Sequence, residues 1–347
     1  MQKIITKEDL DKMLNSLLSD FEIIAPVDLP QKGIFYEPIT DLNDLYWGEG
    51  FATEPVKKFF LSPSEYLFKG RYDNGQEALE ELPMPGNKRI IIGVRPCEAR
   101  GLTLLDKVFD AQDYKDEFYL NNRKRTMLVG LSCSKPDKSC FCTSLGGSPV
   151  NSRGMDALIF PAEEKGTVLS REPSPFLLGN EFIIEIVSDQ AAEIFGGIGE
   201  DLSNEKAKAW EADKERRKEA LDYKINVPET LDNIFENSYW NKVSQGCLSC
   251  GICTFLCPTC HCFDLVDEER SRLRCYDGCA FCDFTLEASG VNPRSAKRER
   301  YRQRVFHKFD YFKKNFKENL CVGCGRCIRF CPVKINIAEV VDKAPLV

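Results

Sequence analysis

The chain has 347 residues, 43% of them hydrophobic and 29% charged, with a formal net charge of −7 and a sequence pI of about 5.3. This length and apolar content suffice for two globular cores and exclude a disordered chain. The acidic balance excludes a global basic field of the kind that holds nucleic acid or an anionic membrane, so neither is an expected partner.

The opening MQKIITKEDLDKML has no apolar h-region, cleavage site or twin arginine, which makes the cytoplasm the expected compartment. Thr6 and Asp9 match a capping box, and Leu10, Met13, Leu14, Leu17 and Leu18 recur at helical spacing, so an amphipathic helix is predicted here. Apolar runs at 21–27, 88–96, 125–133, 155–160 and 181–188 are bounded by Pro, Gly, Asn and Asp and predict strands. EARGLTLLDKVF, between the second and third runs, has helical periodicity and suggests a β-α-β unit. These elements define an N-terminal α/β domain over residues 1–200. Residues 201–236 are charged, with i to i+4 opposite-charge pairs, and predict a connecting helix. Residues 237–347 carry two cysteine blocks separated by a long helical segment, 293–316, whose Val305, Phe309 and Phe312 form an apolar stripe. The expected class is therefore α+β, an α/β domain followed by a mainly helical ferredoxin-like dicluster domain. No apolar run approaches the roughly 18 residues needed to span a bilayer, so direct membrane insertion is not expected.

Seventeen cysteines are present, four before residue 247 and thirteen in the last 101 residues. In a reducing compartment such clustering points to metal ligation, and with His261 and His307 the only histidines the ligands must be mostly thiolate. CLSCGICTFLCP (247–258) and CVGCGRCIRFCP (321–332) both fit C-x2-C-x2-C-x3-C-P. Three thiolates at i, i+3 and i+6 wrap one face of a 4Fe-4S cubane while loop N–H groups hydrogen-bond its sulfides. Gly251 and Gly325 let each loop turn tightly. In two-cluster proteins the fourth cysteine ligates the other cluster, which assigns Cys247, Cys250, Cys253 and Cys331 to one site and Cys321, Cys324, Cys327 and Cys257 to the other. Paired zinc sites would not require two identical four-cysteine runs ending in proline.

Cys97 and Cys133 end predicted strands, and Cys140 and Cys142 follow in a loop. Together they would satisfy a third cubane or a structural zinc; alternatively Cys97 and Cys133 are buried small hydrophobes. Cys260, Cys262, Cys275, Cys279 and Cys282 remain. Cys275, Cys279 and Cys282 have the C-x3-C-x2-C spacing of radical enzymes that cleave S-adenosylmethionine, but only 65 residues follow, too few for the barrel such a motif normally opens. A further cluster, zinc, or plain packing around the clusters are the open alternatives for these five. FGGIGE (195–200) is not a dinucleotide fingerprint, so no flavin or nicotinamide is expected on this chain. His261 and His307 read as packing residues, and the basic run from Arg294 to Arg304 as a solvated helix face or, second, as a docking face for an acidic partner.

GVRPCEARGLTLLDKVF, SCSKPDKSCFC, CLSCGICTFLCPTCHCFD and CVGCGRCIRFCP occur in this order, and the chain thereby resembles the iron-sulfur β subunits of cytoplasmic sulfhydrogenases. It is also similar to an iron-sulfur subunit of anaerobic sulfite reductase and to subunits that feed heterodisulfide-reductase-type complexes. The resemblance covers nearly the whole chain. It implies a third 4Fe-4S cluster at Cys97, Cys133, Cys140 and Cys142, and a relay between a flavoprotein subunit resembling ferredoxin-NADP reductase and catalytic or cluster-bearing redox subunits. Cys260, Cys262 and Cys279 match the family pattern, whereas Cys275 and Cys282 depart from it. An electron-transfer subunit is the expected function; a reductase with its own open-site cluster at the leftover thiols and a zinc scaffold are the alternatives.

Overall fold

The computed structural model describes all residues except 49, 74–75, 81, 135, 162–180, 220, 222 and 347, and its helices and sheets make an α+β fold. The first part of the chain contains β1 (Gln2–Thr6), α1 (Lys7–Leu17), β2 (Glu22–Leu29), β3 (Gly33–Ile39), β4 (Ser64–Asp73), β5 (Gln76–Glu80), β6 (Arg89–Val94) and α2 (Pro96–Phe109). It continues through α3 (Glu117–Lys124), β7 (Thr126–Leu131), β8 (Ala157–Pro161), β9 (Glu181–Ile186), α4 (Asp189–Phe195), β10 (Glu200–Asp201) and α5 (Asn204–Glu219). Then come α6 (Tyr239–Ser244), α7 (Ile252–Phe255), β11 (Phe263–Glu268), β12 (Ser271–Tyr276), α8 (Lys297–Phe306), α9 (Phe312–Phe316), α10 (Arg326–Arg329) and α11 (Ile337–Lys343).

Eight strands form one sheet in the order β10-β1-β9-β8-β7-β6-β2-β3. Its centre, β8-β7-β6-β2, is parallel, and antiparallel strands extend it on both sides. Every residue of β6 and β7 is buried, as parallel strands covered on both faces require. Strand alternation sends Ile91 and Leu128 to one face, where they meet Leu102 and Leu105 of α2. Ile90, Ile92, Met127 and Val129 go to the other face, where Leu10 and Leu14 of α1 cover them. Thr6 caps α1 by accepting the Asp9 N–H at 3.2 Å. The five apolar runs and the β6-α2-β7 unit thus occur where the periodicity puts them.

The charged segment after β10 does more than connect. Lys214 pairs with Glu185 of β9 at 3.0 Å, and the Trp210 ring packs edge-on against Phe160 of β8 with centroids 4.3 Å apart. In 293–316, α8 passes into α9 through a π turn at His307–Tyr311. The extra residue splits the expected stripe: Val305 and Phe309 join a core with Trp240, whereas Phe312 joins Leu104 of α2 and Leu320.

A second sheet, in the order β11-β12-β4-β5, has no counterpart in the periodicity of the sequence. Its β11 is exposed along its whole length, so no burial alternation marks it. β12, from the cysteine-rich part, pairs antiparallel with β4 from the first part. Arg274 of β12 reaches Glu65 of β4 at 2.7 Å and also pairs with Asp116. The cysteine-rich region is therefore mainly helical but contributes one hairpin to a sheet shared with the N-terminal part.

The two parts are also joined by a buried ion pair. Glu98 of α2 is fully buried and accepts from Arg326 Nη2 and from the Tyr36 hydroxyl, each at 2.7 Å, and from the N–H groups of Arg95 and Val56 at 3.2 and 3.3 Å. Arg326 Nη2 also donates to the Ala52 carbonyl at 2.9 Å. Glu98→Gln keeps the shape but leaves the guanidinium charge without its counter-ion, so we expect a loss of about 3–5 kcal/mol in denaturant unfolding of the metal-free chain. A loss below about 1 kcal/mol would show that the pair does not hold the two parts together.

Candidate metal centres

The two cysteine runs adopt the same local structure. In each, a glycine at the helix N-cap has a left-handed backbone, φ 75° at Gly251 and φ 71° at Gly325, and a single helical turn follows, α7 or α10. A side chain at Gly325 would meet the Ser139 carbonyl at 2.6 Å, so both conformation and space demand glycine there. The short helices α7 and α10 pack against each other, which brings the last cysteine of each run toward the first three of the other.

Cys247, Cys250, Cys253 and Cys331 line one cavity of about 60 Å³, together with Cys279, Cys327, Tyr301 and Arg304. Cys257, Cys321, Cys324 and Cys327 line a second of about 10 Å³ with Phe141, Arg304 and Lys308. Cys327 and Arg304 touch both spaces. Two sulfurs already accept backbone hydrogen bonds, Cys247 from Ser249 at 3.4 Å and Cys331 from Ile335 at 3.2 Å.

Buried cations face these thiols. Lys308, on the π turn, donates to Cys257 Sγ at 3.2 Å and to Thr259 Oγ1 at 3.1 Å. Arg304 donates to the Cys253 carbonyl at 2.7 Å and to Cys260 Sγ at 3.4 Å. Burial alone would lower the Lys308 pKa, but the Cys257 and Cys260 sulfurs outweigh it and hold the ammonium charged. The Cys260 thiol's hydrogen bond, and then Lys308 and Arg304, keep Cys257 well below the usual thiol range, while burial pushes Cys321 up to about 11.

The four N-terminal cysteines lie beside the second cavity. Cys97 sits at the start of α2, Cys133 just after β7, and Cys140 and Cys142 in the following loop. Cys97 and Cys142 line a cavity of about 10 Å³ with Arg100 and Val322. Burial, and then the neighbouring Cys133 and Cys324 sulfurs, push the Cys142 thiol up to about 12, and Cys140 is raised by burial and by Cys133, Cys324 and Cys142. This loop is in backbone contact with the second motif: Phe141 N donates to the Gly323 carbonyl at 2.9 Å, and a side chain at Gly323 would meet Cys142 N at 2.6 Å.

The donor sets fit iron-sulfur clusters. In the first two cavities all candidate metal ligands are thiols, while the third is lined by Cys97 and Cys142 with Ser148 and Asn151; buried hydrogen-bond donors lack acceptors at two of these places, the Tyr301 hydroxyl at the first cavity and Arg100 Nη1 at the third. Inorganic sulfide supplies acceptors of that kind. Among the described residues, no three Cys, His, Asp or Glu side chains converge on a single metal-ion position; the thiols surround spaces instead. No sequence signal marks Lys308 or Arg304 as cluster neighbours: Lys308 sits on the π turn and Arg304 on the buried face of α8.

Of the leftover thiols, Cys260, Cys262 and Cys279 lie beside the cluster motifs, whereas Cys275 and Cys282 lie apart. Cys260 shares a hydrogen bond with Cys257. Cys279 lines the first cavity and lies near Cys262, with burial raising it to about 11. Cys275 is on β12 with its sulfur 3.9 Å from Ser64 Oγ, and the exposed Cys282 has its sulfur 3.9 Å from Asn292 Nδ2. The C-x3-C-x2-C run is thus spread across a strand, a loop and a surface turn. His261 and His307 pack ring against ring, 5.4 Å apart, and burial lowers them to about 4 and about 3.

Residues 246–335 match the family model of the 4Fe-4S dicluster domain. The chain is 33% identical over 316 residues to the sulfhydrogenase 2 subunit beta of Pyrococcus furiosus, covering 89% of this chain and 88% of that protein. A 39-residue stretch is 46% identical to an uncharacterised protein of Methanocaldococcus jannaschii, covering 11% of this chain and 16% of that protein. No solved structure gives a significant match.

The placement of Cys275 and Cys282 has a direct consequence: a Cys275→Ser, Cys282→Ser double variant should keep the iron content and visible spectrum of the anaerobically purified protein. Loss of iron would reveal a further cluster at these two positions.

Proposed function

The chain belongs to the family of iron-sulfur β subunits of sulfhydrogenases, and from that premise we propose that it relays electrons within a multi-subunit cytoplasmic oxidoreductase. The observation that carries the reading is the crossed arrangement, in which each of two cavities gathers three cysteines of one motif and the fourth of the other. Crossing holds two centres close together on one rigid element pair, an arrangement suited to electron hopping. In this reading Cys247, Cys250, Cys253 and Cys331 hold the first 4Fe-4S cluster, Cys321, Cys324, Cys327 and Cys257 the second, and Cys97, Cys133, Cys140 and Cys142 a third. A bound cluster supplies one-electron oxidation and reduction.

The protein's own work is positioning and charge compensation. Lys308 donates to Cys257 Sγ of the second site, Arg304 lines the cavities of both sites, and Arg326, held by Glu98, lies between Cys324 and Cys327 in the chain. Burial would lower the Arg326 pKa, yet Glu98, then Cys324 and Cys97, keep it raised, so its charge is permanent. The third set adjoins Cys324, so the three sites follow one another from the α/β part to the first motif. The proposed partners are a flavoprotein subunit resembling ferredoxin-NADP reductase on one side and a catalytic or cluster-bearing redox subunit on the other. The separation of Cys275, Cys279 and Cys282 onto a strand, a loop and a surface turn favours this relay over a reductase with an open-site cluster at that run.

Cys324→Ala should remove about four irons per chain, leave the circular dichroism of the α/β part unchanged and stop electron transfer between the partner subunits. Electron flow that survived this change would refute the relay. Lys308→Gln removes a cation from the second site and should shift one cluster's midpoint potential to a more negative value in an EPR-monitored titration, at unchanged iron content. An unshifted set of potentials would mean that Lys308 does not set the electrostatics of that site.

A further inference from the structure

The mouth of the first cavity carries a surface chemistry unlike the rest of the chain. Although the formal net charge is −7, residues 242–262 and 321–337, which bring both motifs to this surface, contain no Asp or Glu, and the acids on the adjoining loop that supplies Cys279 and Ala280 are Asp277 and Asp283. Leu248 is 62% exposed and Val333 39% exposed, and both line the cavity with the exposed Cys250. Lys297 lines the same space from α8, with its ammonium donating to the Gln245 carbonyl at 2.7 Å. Arg298, with its side chain 51% exposed, and the exposed Lys334 extend the positive charge on either side. Glu299 of α8 caps its own helix by accepting the Ala296 N–H at 2.9 Å, and its other oxygen lies 4.0 Å from Arg298 Nε.

Apolar contacts at a centre, ringed by one sign of charge, are how transient protein interfaces combine desolvation with electrostatic steering. Electron exchange also falls steeply with distance, so a partner must approach the centre that lies nearest the surface. We propose that this mouth, with Leu248 and Val333 at its middle and Lys297, Arg298 and Lys334 around it, is the docking surface for an acidic electron-carrier protein whose redox centre is rimmed by carboxylates. The inference rests on the relay reading and adds to it the place of exchange and the chemistry of the partner.

The probe is a chemically reduced, acidic ferredoxin with two 4Fe-4S clusters, mixed anaerobically with the full-length cluster-loaded chain in a stopped-flow instrument. For the unaltered chain the second-order rate should fall as salt is raised. In a Lys297→Glu, Arg298→Glu, Lys334→Glu triple variant the rate at low salt should fall by about tenfold or more and its salt dependence should flatten or invert, while iron content and EPR spectrum stay unchanged. Should that variant lose its clusters, the corresponding triple Gln variant should give the same sense of change with a smaller amplitude. A cluster-loaded variant that reacts as fast as the unaltered chain, or an unaltered chain whose rate ignores salt, overturns the docking surface and leaves the relay standing. An unaltered chain that holds no iron-sulfur cluster overturns both.

Discussion

Arg326 and Glu98 are held out of water against one another, and much of the arrangement around the thiols follows from that contact. Glu98 is next to Cys97 in the chain, and Arg326 lies between two cysteines of the second motif, so one ion pair, between residues 228 positions apart, fixes the relative position of two thiol sets. A buried pair is poor evidence of stabilisation in itself, since desolvation of both ions offsets their attraction. Its specificity is clearer. The carboxylate accepts four hydrogen bonds, from Tyr36, Arg95, Val56 and Arg326, and a shift of the α10 loop would leave those donors facing an unpaired charge.

The same logic of paired charge extends to the sulfurs. Burial, and then repulsion from neighbouring sulfurs, raises Cys140 and Cys142, and at Cys321 burial outweighs the opposing charge of Lys308. Lys308, Arg304 and Arg326 supply positive charge where the thiols are densest, and none of the three reaches bulk water. The π turn at His307–Tyr311 matters for this reason. It aims Lys308 at Cys257 while Asp310, one turn position on, accepts from Thr230 and Leu231 at 3.1 Å and fastens the segment before α6.

Much of this was legible in the sequence. The five strands with continuous apolar runs, the capped helix α1 and the β6-α2-β7 unit follow from periodicity and capping, which are local properties. The internal repeat assigns its cysteines because spacing within a four-cysteine run is also local. The hairpin β11-β12 was invisible since its strands are exposed and polar, and β4 pairs with a segment about 200 residues away. The N-terminal cysteines illustrate the middle case. Their strand-end positions could be read from the sequence, whereas the backbone contact between Phe141 and Gly323 that sets them beside the second motif could not. Arg304 ends the run expected to form a solvated basic helix face, and Lys308 carried no signal; burial against sulfur is a tertiary fact with no sequence signature.

From the edge of the parallel sheet the thiol sets run through the crossed motifs to a basic mouth at the surface. Whether all three thiol sets hold iron-sulfur clusters, as we propose, is tested by iron, acid-labile sulfide and zinc determination on the anaerobically purified chain. About twelve irons and about twelve sulfides per chain, with negligible zinc, are the result this account predicts. Zinc as the main metal, with little or no sulfide, would contradict it.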